Sequence, residues 1–292
     1  MRLSTSTNIY FNRPGGKKAA IEDSIRLCAQ SGYRVMDMNF HDCTTFRLPF
    51  VTDGWETWLE GILDAAQEHQ IEFSQAHASF YNFCDQNFPE KDFLDKMILR
   101  SIDCSAALGV KWLVIHAGTD FGSPTPVKDS REKNLEYFKP VVAYATERKV
   151  GIAIENLWDF NIAPLRRYTT TAEELVELVD LLRAESDHVG ICWDFEHADI
   201  MKQAQEPALK MIGSRLKATH VSDHTGPQND HILPFHGGTN WEAIMKTLKE
   251  LDYQGDFTYE IHRYIDKLPE ALVLPALSYS VEVGNYLLSL AE

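Results

Sequence analysis

Short apolar runs rich in β-branched residues alternate with longer segments whose apolar positions recur three and four residues apart, and the alternation continues along the chain. The short runs predict eight strands, at 2–9, 34–38, 72–77, 111–116, 151–155, 189–194, 216–220 and 256–260. Between them, Phe93, Leu94, Met97, Ile98, Ile102 and Leu108 mark one face of a helix, and Leu175, Val176, Leu178, Val179 and Leu182 mark another. Thr171-Ala-Glu-Glu174 has the form of a capping box, and Gly109 suits a left-handed helix stop. Strand and helix in strict alternation imply parallel strands, because a parallel return needs a crossover of a dozen or more residues. Eight such units predict an α/β fold, a (β/α)8 TIM barrel, with an open doubly wound sheet as the structural alternative. No low-complexity block or linker divides the chain, so residues 1–292 read as one domain.

Composition narrows the function. The chain carries 28 Lys and Arg against 43 Asp and Glu, a formal charge of −15, which repels a phosphate backbone and disfavours nucleic acid as a partner. The first residues lack the apolar core of a signal peptide, and no stretch reads as a bilayer span, so the expectation is a cytoplasmic protein without a membrane partner. The 5 cysteines are scattered with no CxxC pair, which predicts reduced, buried thiols. No phosphate-binding glycine loop and no GxSxG elbow is present.

The chemistry collects where predicted strands end. Six in succession terminate in His77, His116, Glu155, Asp194, His220 and Glu260, separated by 39, 39, 39, 26 and 40 positions. In a barrel these residues surround one mouth, where active sites lie. Two like charges about 4 Å apart repel by roughly 4 kcal/mol at an effective dielectric of 20, so converging carboxylates call for a cation. Carboxylate with imidazole suits one divalent ion, Mn2+, Mg2+, Zn2+ or Co2+. Each residue alone has a plainer role, as a hydrogen-bonded loop histidine or a helix N-cap; six in register point to a shared site. Phe80, Tyr81, Trp158 and Phe160 follow strands on that face and are candidates to pack against a sugar ring. Trp193 alternates with Asp194 and should point into the layer between barrel and helices. Arg263, with His262, is a candidate anion contact beyond the last strand, Arg166 and Arg167 lie after the fifth, and Gly237-Gly238 offer a hinge in the loop after the seventh.

These residues resemble the xylose isomerase-like TIM barrels, which include sugar isomerases, ketose 3-epimerases, inosose dehydratases and endonuclease IV-type DNA-repair enzymes. The resemblance rests on IAIENL at 152–157, WDFEHA at 193–198, HVSD at 220–223 and NDHILPFHGGTNW at 229–241. It implies Glu155, Asp194, His220 and Glu260 as ligands of one divalent ion, and it sets His77, His116 and His197 either in a sugar pocket or at further zinc positions of the endonucleases; His231, Trp158 and Arg263, read from their places on the same rim, are further candidate substrate contacts. It implies a small sugar or polyol, phosphorylated or free, as substrate; Glu155 and Glu260, on strands 5 and 8 of a closed barrel, could approach its carbon from two sides as acid and base, with pure ligation as the alternative for both. The implied reaction is isomerisation or epimerisation by proton transfer through an enediolate stabilised at the ion. A dehydratase of the inosose or dehydroshikimate type and an endonuclease IV-like phosphodiesterase are alternatives on the same scaffold. Three positions depart from the relatives: Asn229 stands where the endonucleases have a metal-binding aspartate, and Asn161 and Gly226 stand where ketose 3-epimerases have a glutamate and an arginine. A homo-oligomer is left open as an assembly.

Overall fold

The computed structural model describes residues 1–159, 166–226 and 228–292; Phe160 and Asn161 lie outside them. Eight parallel strands form the sheet: β1 (Leu3–Ser6), β2 (Val35–Asn39), β3 (Glu72–His77), β4 (Trp112–His116), β5 (Gly151–Glu155), β6 (Val189–Asp194), β7 (Leu216–His220) and β8 (Phe257–Tyr259). Strand β8 pairs with β1, and a single bridge, Val221 to Tyr259, joins β7 to β8 and closes the barrel. Around it run α1 (Ile21–Ser31), α2 (Phe40–Thr45), α3 (Trp55–His69), α4 (Lys91–Leu108), α5 (Pro126–Glu147), α6 (Ala172–Arg183), α7 (Phe195–Ile200), α8 (Gln205–Ile212), α9 (Trp241–Glu250) and α10 (Glu270–Ser289). The short spacing of 26 between Asp194 and His220 arises because the β6–β7 crossover uses two short helices, α7 and α8.

Successive strand side chains point to opposite faces, so every second residue faces the barrel axis. Val114, Ala153, Cys192 and Ala218 form a small buried layer inside the barrel. His116, Glu155, Asp194 and His220 stand two residues further along the same four strands, which stacks them on that layer at the C-terminal mouth. Trp193 takes the opposite face: it is fully buried between barrel and helices, and its indole N–H donates to Gln205 at 2.9 Å. At the N-terminal end, Gly151 leaves room for the Trp112 ring, which a Cβ there would meet at 2.4 Å. All five cysteines are free and buried.

Several local expectations change. Strand β1 stops at Ser6, because Thr7–Tyr10 turn into a 3-10 helix capped by the Ser6 hydroxyl. The capping box at α6 is half formed: Thr171 accepts the Glu174 N–H, while the Glu174 carboxylate pairs with Arg166. Gly109 stops α4 at φ 75°, as its sequence suggested. Helix α10 corrects the reading that no stretch is apolar enough to span a bilayer, since by length and composition it is, with a mean hydropathy of 1.2. In the fold it lies on the barrel's outer wall, with Val273, Leu277, Val283 and Leu287 buried, Gly284 against Leu3, and Ser280 bonded to the Tyr33 hydroxyl at 2.7 Å.

Beyond the β5–β6 ladder one side chain ties the two strand ends together. Asn156 donates to the Asp194 carbonyl at 2.9 Å and accepts the Asp194 N–H at 2.7 Å, all buried. Asn156→Ala strips both partners from a buried peptide, and we expect a loss of about 2–4 kcal/mol in urea unfolding with an unchanged denaturant slope. A loss below about 0.5 kcal/mol would show that water or a backbone shift replaces both bonds.

Candidate metal centre

Glu155 is the hub. It ends β5 with no exposure, its Oε1 2.8 Å from His220 Nδ1 and its Oε2 2.8 Å from His116 Nε2 and 3.4 Å from His77 Nε2. Asp194 ends β6 and caps α7, one carboxylate oxygen accepting the His197 N–H at 2.8 Å and the other buried without a hydrogen-bond partner. Glu260, one residue past β8, lies 3.5 Å from His220 Nδ1. One ligand atom from each of Glu155, Asp194, His220 and Glu260 lies within 4.8 Å of the others. Ligands about 2.0–2.3 Å from a common ion sit at most roughly twice that distance apart, so this donor set fits one divalent cation. The orphaned Asp194 oxygen points the same way, because a buried carboxylate oxygen without a partner is costly. Among the described residues, His77, His116 and Glu155 form a neighbouring group of suitable spacing, as do Glu196, Asp230 and His231.

The charges of the cluster set one another's protonation. Burial, with the charges of Glu155 and Glu196, drives the Asp194 carboxyl well above the ordinary carboxylate range. Burial also works against ionised Glu155, but His220 and His116 outweigh it and hold this carboxyl well below its usual range. Two neighbouring carboxyls are thus pushed in opposite directions, the outcome expected when like charges share one site.

A cavity of about 450 Å³ opens over the cluster, lined by His77, His116, His197, His231, Trp158 and Glu260 among others. His197 directs Nδ1 to the Asn156 carbonyl at 2.9 Å, and burial pushes its pKa down to about 3, so the ring is neutral and its Nε2 is an acceptor. His77 is fixed in the same manner, with Nδ1 on the Ala78 carbonyl at 2.9 Å. His231 is set by Glu196, whose carboxylate accepts its backbone N–H at 2.7 Å and stands 3.3 Å from its Nδ1, leaving Nε2 3.8 Å from Glu260. Burial opposes its charge, but Glu196 and Asp230 prevail and hold the imidazole up at about 10. On one wall the rings of His41, Phe80 and His116 stack at 3.7 and 4.0 Å.

The structure therefore gathers nine of the ten sequence-derived site residues around one mouth. The tenth, Arg263, lines a separate surface depression with His236 and Tyr264, and its guanidinium is 2.7 Å from Asp230. The loop after β7 is also unlike a hinged lid. Gly237 packs so closely on Asp223 that a Cβ would sit 2.1 Å from its carboxylate, which also accepts from Thr239, Trp241 and Phe235. Asp37, Asn39, His41, Asp42 and Glu196 were not singled out in the sequence. A signal existed for strand 2: Asn39 is paired with His77 and precedes it by 38 positions, extending the ligand spacing backwards.

The family model described as a xylose isomerase-like TIM barrel matches residues 25–278. The uncharacterized protein y4fM of Sinorhizobium fredii is 32% identical over 277 residues, covering 91% of this chain and 80% of its own length. A D-psicose 3-epimerase of Enterocloster bolteae is 28% identical over 170 residues, covering 56% of this chain and 50% of its own. Two solved structures share the fold over nearly their whole length. D-psicose 3-epimerase in the presence of D-fructose superposes with a TM-score of 0.76 at 15% identity, covering 99% of both chains. The IolI protein with a bound zinc atom does so with a TM-score of 0.77 at 18% identity, covering 99% of this chain and 98% of its own. With a family model spanning most of its length and a relative aligned over nine-tenths of it, this chain belongs to the xylose isomerase-like TIM barrel family.

Proposed function

We propose that this protein is a divalent-metal-dependent isomerase or epimerase of a small sugar or polyol, moving a proton at a carbon next to a carbonyl. The observation that carries the reading is the convergence of Glu155, Asp194, His220 and Glu260 beneath a cavity of about 450 Å³ lined by imidazoles and aromatic rings. Its relatives include a D-psicose 3-epimerase, and a neighbour of the same fold binds zinc. Glu155, Asp194, His220 and Glu260 would hold the ion, which when bound stabilises by several kcal/mol the negative charge that develops on the carbonyl oxygen.

The two glutamates differ in access. Glu260 lines the cavity, whereas Glu155 is enclosed by His77, His116 and His220. We therefore assign Glu260 the removal of the proton from carbon: its carboxylate takes the proton, and the C–H pair becomes a C=C bond as the carbonyl oxygen gains charge. Return of that proton to the neighbouring carbon, with the hydroxyl proton of that carbon passing to the former carbonyl oxygen, gives an isomer. Delivery of a second proton to the opposite face of the same carbon, from Glu155 in its protonated form, gives an epimer and leaves Glu155 ionised and the abstracted proton on Glu260. Neutral His197 offers Nε2 to a substrate hydroxyl, and His231 offers Nε2 as a donor. Trp158 presents an aromatic face to sugar C–H groups, while Phe80, sandwiched between His41 and His116, holds the wall that positions them.

The net charge of −15 argues against DNA as substrate, although His77, His116 and Glu155 have the spacing for a further ion. Metal analysis separates the two readings, since a phosphodiesterase of the endonuclease type would hold two or three zinc ions.

Incubation in D2O with a panel of ketoses, aldoses, inososes and their phosphates should place deuterium on a carbon beside the carbonyl of at least one compound. Exchange should stop with EDTA and return with Mn2+; a fully metal-loaded protein that exchanges no proton with any compound would overturn the reading. For Glu260→Gln at saturating Mn2+, exchange should fall by about 10²- to 10⁴-fold, the range for loss of a positioned general base. Full turnover of this variant with the ion still bound would exclude Glu260 as the base.

A further inference from the structure

Asp37 stands among the groups that the centre described above leaves without a role. It lies in the middle of β2, fully buried, paired with Ser6 of β1 and Gln75 of β3. The β2–β3 register shifts between Met36 and Asp37, the kind of irregularity that re-aims a side chain near an active site. One Asp37 oxygen is 3.3 Å from the Ser6 hydroxyl. The other, Oδ2, is buried with no hydrogen-bond partner and faces His220 Nε2 at 4.0 Å, and that nitrogen is also buried without a partner.

The opposite edge of the His220 ring is committed. Nδ1 lies 2.8 Å from Glu155 and 3.5 Å from Glu260, on the side where the ion's ligands gather. An imidazole that ligates through Nδ1 must carry its proton on Nε2, and a buried N–H needs an acceptor. Glu155 and Glu260 both approach Nδ1; among the described residues, Asp37 is the carboxylate within ion-pair reach of Nε2. The separation exceeds hydrogen-bond length by roughly 1 Å, a gap within the sweep of one carboxylate torsion. Histidine ligands of metal ions commonly donate their second N–H to a carboxylate, which fixes the tautomer and strengthens the ligand.

We propose that Asp37 is a positioning residue for the metal centre, accepting the Nε2 proton of His220 so that Nδ1 faces the ion. This assignment rests on the metal-centre reading, and Asp37 itself touches neither ion nor substrate. Its place two residues below the mouth lets it act through His220 alone.

The test is Mn2+ titration of the full-length protein, stripped with EDTA and followed by calorimetry. Asp37→Ala should weaken Mn2+ binding by about 10- to 100-fold, the usual cost of losing such a partner. Asp37→Asn keeps an acceptor oxygen but loses the charge, and should retain most of the affinity, with a drop of about three- to tenfold. Long-range ¹H–¹⁵N spectra of the protein loaded with diamagnetic Zn2+ should show the His220 Nε2 proton held against exchange in the wild type and exchanging freely in Asp37→Ala. Cys192→Ala, which removes the nearby thiol, should bind as the wild type does. Folded Asp37→Ala binding Mn2+ within about threefold of the wild type would overturn the proposal, as would a loss caused by Cys192→Ala instead. Should Asp37→Ala fail to fold, Asp37→Asn decides: the stated drop supports the role, and wild-type affinity overturns it. A wild type that binds no Mn2+ would overturn the metal centre itself, and the Asp37 assignment with it.

Discussion

Mutual repulsion among buried carboxylates governs this molecule's mouth. Glu155, Asp194 and Glu260 converge on His220 from β5, β6 and the end of β8, and two of the three are wholly removed from water. Such a cluster is compact only if positive charge is shared among its members. The surroundings raise the proton affinity of Asp194, His77 and His220, which offsets part of the repulsion, and a divalent cation would supply the same charge in less space. The barrel makes the encounter unavoidable, because inward positions of adjacent parallel strands stack in layers, and the layer beneath consists of small apolar side chains that leave no freedom to retreat.

Around that core, the structure spends further polar groups on orientation. Asn156 clamps the peptide of Asp194, Glu196 holds both the backbone and the ring of His231, and Asp223 gathers the loop that follows β7. Each is buried and each bonds the backbone of the segment it faces, so each fixes where a cavity residue can point. This explains why helix α7 begins with two functional residues flanking Glu196: Asp194 caps the helix, His197 turns to the Asn156 carbonyl, and Glu196 reaches out to the loop.

Much of this was legible in the chain. Spacings near 39 report one strand plus one crossover, and a ligand-type residue at each repeat marks the same rim, so seven of the eight strand ends were placed within one residue of where they lie. What escaped the sequence was set by tertiary contacts. Thr7 to Ile9 continue the β-rich run that opens the chain, yet the Ser6 cap turns them into a 3-10 helix. Glu174 had the position to complete a capping box, but Arg166 offered a charge partner. Arg263 follows the last strand as an anion-binding residue would, and Asp230 draws it to the outer surface. Glu196 and Asp37 gave no signal because a lone carboxylate beside a helix start or within a strand has no period; only the fold shows what it faces.

The central claim is that four side chains from separate strands share one cation. Anomalous diffraction from crystals grown with MnCl2 tests it most directly. The account predicts one strong manganese peak within about 2.0–2.3 Å of Glu155, Asp194, His220 and Glu260 together, and its disappearance in Asp194→Ala. Manganese bound elsewhere with these four residues bare, or a folded protein whose crystals show no peak at saturating manganese, would contradict it.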